Sequence, residues 1–321
     1  MKKFVLENSF QKITFLNVGA TIYSWEIKEK NNRNIVLSNK NLDDYLNSAS
    51  GFLGATIGRV TNRIKDGQFV LDGVHYQLAK NFDDEVNAGH GGPHGFWAQT
   101  FTGKKLSKHA LEFTYHSKDK EEGYPGNFDL KVRYTLDKQG LHINYKGQSD
   151  QKTIANITNH SYFNLEGSKS IHDHSLLMDG PYFLPYDDKK AITGVKAKTA
   201  GTPLDFTKLT KLGKIINDPY LTDPKTCGID HCLYFGAQKK LVLQSADLRL
   251  TIKTSYPAVQ LYSTGFPGPQ ELLNGHVVKN QALAIEPQLP VDAINFPNLG
   301  NIILEKDEEY SHFIRYELEI I

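Results

Sequence analysis

Several short stretches of this chain carry proton-transfer or hydrogen-bonding side chains that an ordinary outer surface does not need. In "NITNHSYFNL" (156–165), a period of two puts Thr158, His160, Tyr162 and Asn164 on one side of an extended segment and Ile157, Phe163 and Leu165 on the other. The second side reads as core. The first carries a histidine crowded by amides and a phenol, a setting that fixes ring orientation and tautomer. In "ALAIEPQLP", Leu283 and Ile285 alternate with Glu286 and Gln288. A carboxylate in such an apolar run is costly to desolvate unless it has a partner or a task, and partial burial lifts its pKa toward general-base range. The plainer alternatives are the solvated face of an edge strand for Glu286 and a core histidine satisfied by backbone for His160. An imidazole and a carboxylate with neighbouring pKa values can each give and take a proton, so together they suit reversible acid–base work.

Three further stretches suit binding. His90 and His94 in "NAGHGGPHGFW" have the spacing of a metal pair, but the glycines between them make a loop, and no Glu follows His90 as a metalloprotease helix requires. No metal is expected. A loop histidine shown to a ligand, with Phe96 or Trp97 as an apolar face, is the better reading, and sugars combine polar edges with apolar C–H faces in that way. Asp230 and His231 lie between Cys227 and Cys232, but no second closely spaced pair completes a zinc set, and Asp230 otherwise opens a turn after Gly228. Asn62 and Arg63 in "GATIGRVTNRI" are consecutive, so a regular strand would point them to opposite faces. Either one alone reaches a site or the chain bends there, with a surface ion pair as the alternative for Arg63.

The elements that must position these residues are mostly strands. "QFVLDGVHYQL" sets Asp72-Gly73 between two alternating runs, a hairpin signal because both turn positions take positive φ. In "VRYTLDKQGLHINY", Val132, Tyr134 and Leu136 face Leu141, Ile143 and Tyr145, and the alternation returns at Leu248, Leu250 and Ile252 and again through Ile314, Tyr316, Leu318 and Ile320. Helical spacing is confined to 41–47 and to Leu209, Leu212 and Ile216. These patterns predict an antiparallel all-β protein with few short helices. With no linker, repeat or shift of composition, residues 1–321 read as a single domain.

Composition narrows the partners. The 37 basic and 36 acidic side chains nearly cancel to +1, which argues against nucleic acid or an anionic membrane surface as partner. "GHGGPHG" has neither the glycine spacing of a dinucleotide loop nor the Lys-Ser/Thr of a phosphate loop, so no cofactor is expected. Two cysteines are too few for a disulfide framework, and "MKKFVLENSF" meets Glu7 and Asn8 before a signal-length apolar run develops. A cytoplasmic protein is expected.

In order along the chain, "GRVTNRI", "HGGPHGFW", "NITNHSYFNL", "GTPLDF", "GIDHCLYF", "VQLYST" and "EPQLPVDAIN" resemble the aldose 1-epimerases, or galactose mutarotases, from about Gly54 to the C-terminus. The resemblance implies a large antiparallel β-supersandwich with an open sugar cleft, no cofactor, and anomer interconversion of a free hexose such as galactose or glucose. It implies Glu286 as the base acting on the anomeric hydroxyl and His160 as the acid acting on the ring oxygen. His90, Asn62 and Arg63, and Asp230 are implied as substrate-binding residues, with a small-molecule aldose as partner and a monomer or homodimer as the working state. Two departures, Ala-Gly before His90 and the Pro287, Pro290 and Val291 surroundings of Glu286, bear on sugar preference. The rivals are hexose-phosphate epimerisation, which calls for a basic cluster at the cleft; glycoside hydrolysis by Asp230 with Glu286, which leaves His160 without work; and a non-catalytic sugar-binding protein, which needs neither proton donor nor base.

Overall fold

The computed structural model describes residues 1–48, 52–167, 170–273 and 275–321. The alternating runs form strands as their periodicity requires. Gln68–Leu71 and Val74–Gln77 pair across the Asp72-Gly73 turn, where both residues have positive φ. Phe128–Leu136 and Gly140–Ser149 pair with Val132 opposite Tyr145, Tyr134 opposite Ile143 and Leu136 opposite Leu141. The C-terminal run Glu309–Ile320 lies between Gly140–Ser149 and Leu248–Thr254. Its Ile314, Tyr316 and Leu318 are buried, whereas Ile320, at the end of the strand, is exposed.

Those strands belong to a nine-stranded sheet running from Thr102–Ser107 at one edge to Thr210–Lys211 at the other. A second sheet has six strands in the order Tyr162–Phe163, Leu283–Gln288, Ala258–Tyr262, Asp230–Tyr234, Tyr182–Leu184, Ala197–Lys198. Every pairing within the two sheets is antiparallel. A four-stranded N-terminal sheet begins at Lys3–Glu7. One contiguous core holds Tyr134, Tyr145 and Tyr316 from the nine-stranded sheet and Phe163, Leu233, Val259, Leu261, Leu283 and Ile285 from the six-stranded one. The pleat therefore turns odd-numbered residues of Leu283–Gln288 to the core and leaves the even-numbered ones for the other face.

Helix is confined, among the described residues, to short 3-10 turns. The spacing at 41–47 gives the turn Leu42–Leu46. Around Leu209, Leu212 and Ile216 only Leu212–Lys214 is helical; Leu212 and Ile216 are buried but Leu209 is exposed, because Thr210–Lys211 is taken up as an edge strand. No described helix is long and apolar enough to cross a membrane.

Candidate active site

The continuous strand expected through "NITNHSYFNL" is broken at its histidine. Thr158–Asn159 pairs with Thr56–Ile57, and Tyr162–Phe163 pairs with Leu283–Ala284. Where the chain crosses between those partners, the His160 N–H donates to the Ala55 carbonyl at 2.9 Å, and the His160 carbonyl accepts from Gly54 N–H at 2.9 Å. His160 is thus fixed by two backbone bonds outside any regular strand. Neither side of the segment meets solvent: Thr158, His160, Tyr162 and Asn164 are as buried as Ile157, Phe163 and Leu165.

Glu286 is not on an edge. Its strand runs between Tyr162–Phe163 and Ala258–Tyr262, with Gln260 directly opposite Glu286. Asp230 is opposite Tyr262, which is opposite Ala284, which is opposite Tyr162. Antiparallel partners share a face, so Tyr162, Glu286, Gln260, Tyr262 and Asp230 all project from the side away from the core. On that side His160 Nε2 lies 3.3 Å from Glu286 Oε1.

The "HGG" loop supplies the opposite wall. His90 has φ +51°, a conformation uncommon for a residue with a Cβ, and its N–H donates to the Asn62 carbonyl at 3.0 Å. Gly91 continues the turn at φ +82°, against the Gly58 carbonyl, where a side chain would collide with backbone. Asn62 also has positive φ, at +60°, and this is the bend that lets consecutive Asn62 and Arg63 both line the cleft. The Asn62 N–H donates to His90 Nδ1 at 3.2 Å, which leaves the proton of the neutral ring on Nε2.

That tautomer bears on metal binding. His90, His160 and Glu286 bring one ligand atom each within 4.8 Å of one another, a donor set that suits a transition metal in composition. His90 has no free lone pair to offer, since Nδ1 accepts a buried backbone N–H and Nε2 carries hydrogen. The residues do not fit a resident ion, and His90 is instead a fixed hydrogen-bond donor. His94 is exposed and takes no part.

Arg63 is held by Asp83, with Nε donating to Oδ2 at 2.7 Å and Nη2 to Oδ1 at 3.2 Å, while Asp230 Oδ2 lies 3.9 Å from Nη2. Gln260 Nε2 donates to the other Asp230 oxygen at 2.5 Å. Asp83 and Gln260 escaped the sequence reading. Gln260 was the more visible, a polar residue amid the apolar "AVQLY" strand, whereas nothing local distinguishes Asp83 within "FDDE". The apolar lining also differs from expectation: Phe96 and Trp97 are buried behind the wall, with Trp97 against Phe52 at 5.1 Å between ring centroids. Phe52, Phe82, Tyr162, Tyr262 and Phe266 face the cleft instead. It measures about 360 Å³ and gathers Asn62, Arg63, His90, His160, Asp230 and Glu286 in one place.

Electrostatics follows from burial. Desolvation pushes Glu286 well above the ordinary carboxylate range, with the Asp230 charge adding to it and Arg63 opposing. Burial pulls His160 down to about 3 and His90 well below the usual imidazole value. Asp230 is raised by burial against the pull of Arg63. Burial therefore biases Glu286 toward the neutral acid and His160 toward the neutral ring, so the pair carries one proton, on the carboxyl, with the facing atoms 3.3 Å apart.

The Aldose 1-epimerase family model matches residues 2–317. The galactose mutarotase of Homo sapiens is 37% identical over 100% of this chain and 94% of its own length. The aldose 1-epimerase of Escherichia coli is 32% identical over 97% and 92%. Among solved structures, the aldose epimerase homologue from C. elegans superposes with a TM-score of 0.91 at 28% identity, covering 100% of this chain and 99% of that one. With a family model spanning nearly every residue and full-length relatives above 30% identity, the chain belongs to the aldose 1-epimerase family.

Proposed function

We propose that this protein interconverts the α and β anomers of a free aldose, with Glu286 taking the proton of the anomeric hydroxyl while His160 protonates the ring oxygen. The observation that carries the assignment is the 3.3 Å His160–Glu286 contact within a cleft lined by hydrogen-bonding groups. Ring opening turns carboxylate and imidazolium into acid and imidazole. The aldehyde carbon then rotates, and the same two groups reverse the transfer on either face. Burial favours the neutral pair, the form that coexists with the open chain, so the ionic pair that starts the reaction is the costlier state, and the Arg63 charge offsets part of that cost.

Asn62, Arg63, His90 and Asp230 hold the sugar oxygens in this reading. His90 Nε2–H and the Arg63 Nη groups donate, and Asp230 accepts. Relatives named galactose mutarotase support galactose as substrate, with glucose as the second candidate. The charge balance disfavours a sugar phosphate: Arg63 is committed to Asp83, and Lys190, 4.0 Å from the same carboxylate, shares the lining with Asp83, Asp84, Asp230 and Glu286. The free thiols Cys227 and Cys232 support a cytoplasmic setting, and residues 1–321 act as one unit, as monomer or homodimer.

The test is polarimetry of freshly dissolved α-galactose and α-glucose with wild type, His160→Asn and Glu286→Gln. Wild type accelerates the approach to equilibrium, and each substitution lowers turnover by about 10²–10⁴-fold while sugar binding persists. Unchanged spontaneous rates on both sugars with wild type refute the reading and favour a sugar-binding protein.

A further inference from the structure

The ladder between the His160 segment and the Glu286 strand stops just before the two residues that matter. Tyr162 is opposite Ala284 and Phe163 opposite Leu283. Two residues further on, counting down on one strand and up on the other, the same register would set His160 opposite Glu286. The chains part there: the backbone of 156–160 turns away to pair with Gly54–Thr61, through Thr158–Asn159 with Thr56–Ile57 and through Thr61 N–H to the Asn156 carbonyl. His160 and Glu286 therefore stand in the fork where two strands separate.

Beyond the fork the gap is spanned by side chains. The Thr158 hydroxyl donates to the Pro287 carbonyl at 2.7 Å. The Asn156 amide brackets Leu289, accepting its N–H at 2.9 Å and donating to its carbonyl at 3.0 Å, which copies a ladder rung with a side chain. Pro287 has no N–H with which a backbone rung could form. Thr158 is fully buried, two residues from His160, and its acceptor is the residue after Glu286.

We propose that Thr158 and Asn156 are positioning residues that hold this fork at fixed width and so set the distance between the proton donor and acceptor. The inference rests on the assignment of His160 and Glu286 to proton transfer. Thr158→Val keeps the shape of the side chain and deletes the strut, while Thr158→Ser keeps the hydroxyl. A displacement of about 1 Å between reacting groups costs on the order of 10²-fold. Thr158→Val is therefore expected to lower kcat by roughly 10–100-fold with KM for the aldose within about twofold, because the sugar-holding groups lie on other elements. Its pH–rate limbs should move, since the coupling of the pair changes with distance, and Thr158→Ser should restore both rate and profile. Should Thr158→Val fail to fold, Asn156→Ser carries the same expectation. Wild-type kcat and pH profile in the folded variant would overturn the proposal, as would equal impairment of the Val and Ser variants with a raised KM. Retained turnover in Glu286→Gln and His160→Asn would instead remove the assignment on which the proposal stands.

Discussion

Removing the carboxylate of Asp83 should unfasten the cleft without touching either proton-transfer group. The Arg63 and Asp83 side chains are only 12% and 9% exposed, and two bonds of 2.7 and 3.2 Å join them. In Asp83→Ala the guanidinium stays buried with its nearest remaining carboxylate, Asp230, 3.9 Å away. Leaving a buried charge without its partner costs about 3–5 kcal/mol. At roughly 2 °C per kcal/mol for a chain of this size, the melting temperature should fall by on the order of 5–10 °C. Arg63 keeps a bond to Asn62 Oδ1 at 3.5 Å, and a shift toward Asp230 Oδ2 would occupy the carboxylate that accepts from the sugar in the proposed function. KM should rise accordingly. Asp83→Asn, whose amide oxygen still accepts from Arg63 Nε, should fall between Ala and wild type on both measures. Differential scanning calorimetry and polarimetric kinetics on the three proteins decide the matter. An Asp83→Ala protein with unchanged melting temperature and KM would show that the ion pair neither stabilises the wall nor shapes the site.

Two further outcomes concern pH. Because burial pulls His160 down to about 3 and lifts Glu286, the pH dependence of kcat should be a broad plateau whose acid limb lies well below 6.5. An acid limb at the ordinary imidazole value, by polarimetry corrected for the spontaneous rate, would contradict a buried one-proton pair. His174 and His231 are each held at about 4 by burial, and each accepts a backbone N–H, from Leu165 at 2.9 Å and from Asp230 at 3.2 Å. Their folded pKa values are depressed, so the stability they contribute is full above about 6.5 and is lost as pH falls from there toward about 4. Asp292, raised to about 7 by burial, works in the opposite sense over the same window. The clean measurement is therefore a difference: the destabilisation of His174→Gln relative to wild type, by urea unfolding, should shrink by on the order of 3 kcal/mol between pH 7 and pH 4. A gap independent of pH would mean that His174 is not held neutral.

Period-two patterning was enough for the hairpins at Asp72-Gly73 and at Phe128–Ser149, because local alternation and turn chemistry fix register there. What grouped His160, Glu286, His90, Asp230, Asn62 and Arg63, which the structure gathers in one cleft, was the order of motifs and the family it resembles rather than the patterning. The patterning failed where a residue's conformation depends on two distant partners at once. Alternation drew His160 into a strand, but the competing backbone groups of Gly54 and Ala55 lie over 100 residues away. The aromatic lining failed for the same reason: Trp97 follows the glycine loop in sequence, yet Phe52 packs over it and presents its own ring to the cleft. Asp83 depends on its ion pair with Arg63, which no local pattern encodes.

The pleat of the six-stranded sheet also bears on how this protein could change. Along Leu283–Gln288 and Ala258–Tyr262, consecutive residues serve different surroundings: Leu283, Ile285, Val259 and Leu261 pack in the core, and Gln260 and Tyr262 line the cleft. If the cleft holds the sugar as proposed, substitutions at Gln260 or Phe266 can explore new hydroxyl patterns while the main core stays intact, whereas Tyr262 also packs against a smaller apolar cluster. A small combinatorial library at those three positions, with the intervening apolar residues left alone, is the economical route to altered aldose preference, and the alternation itself is a reason for one scaffold to drift among related sugars.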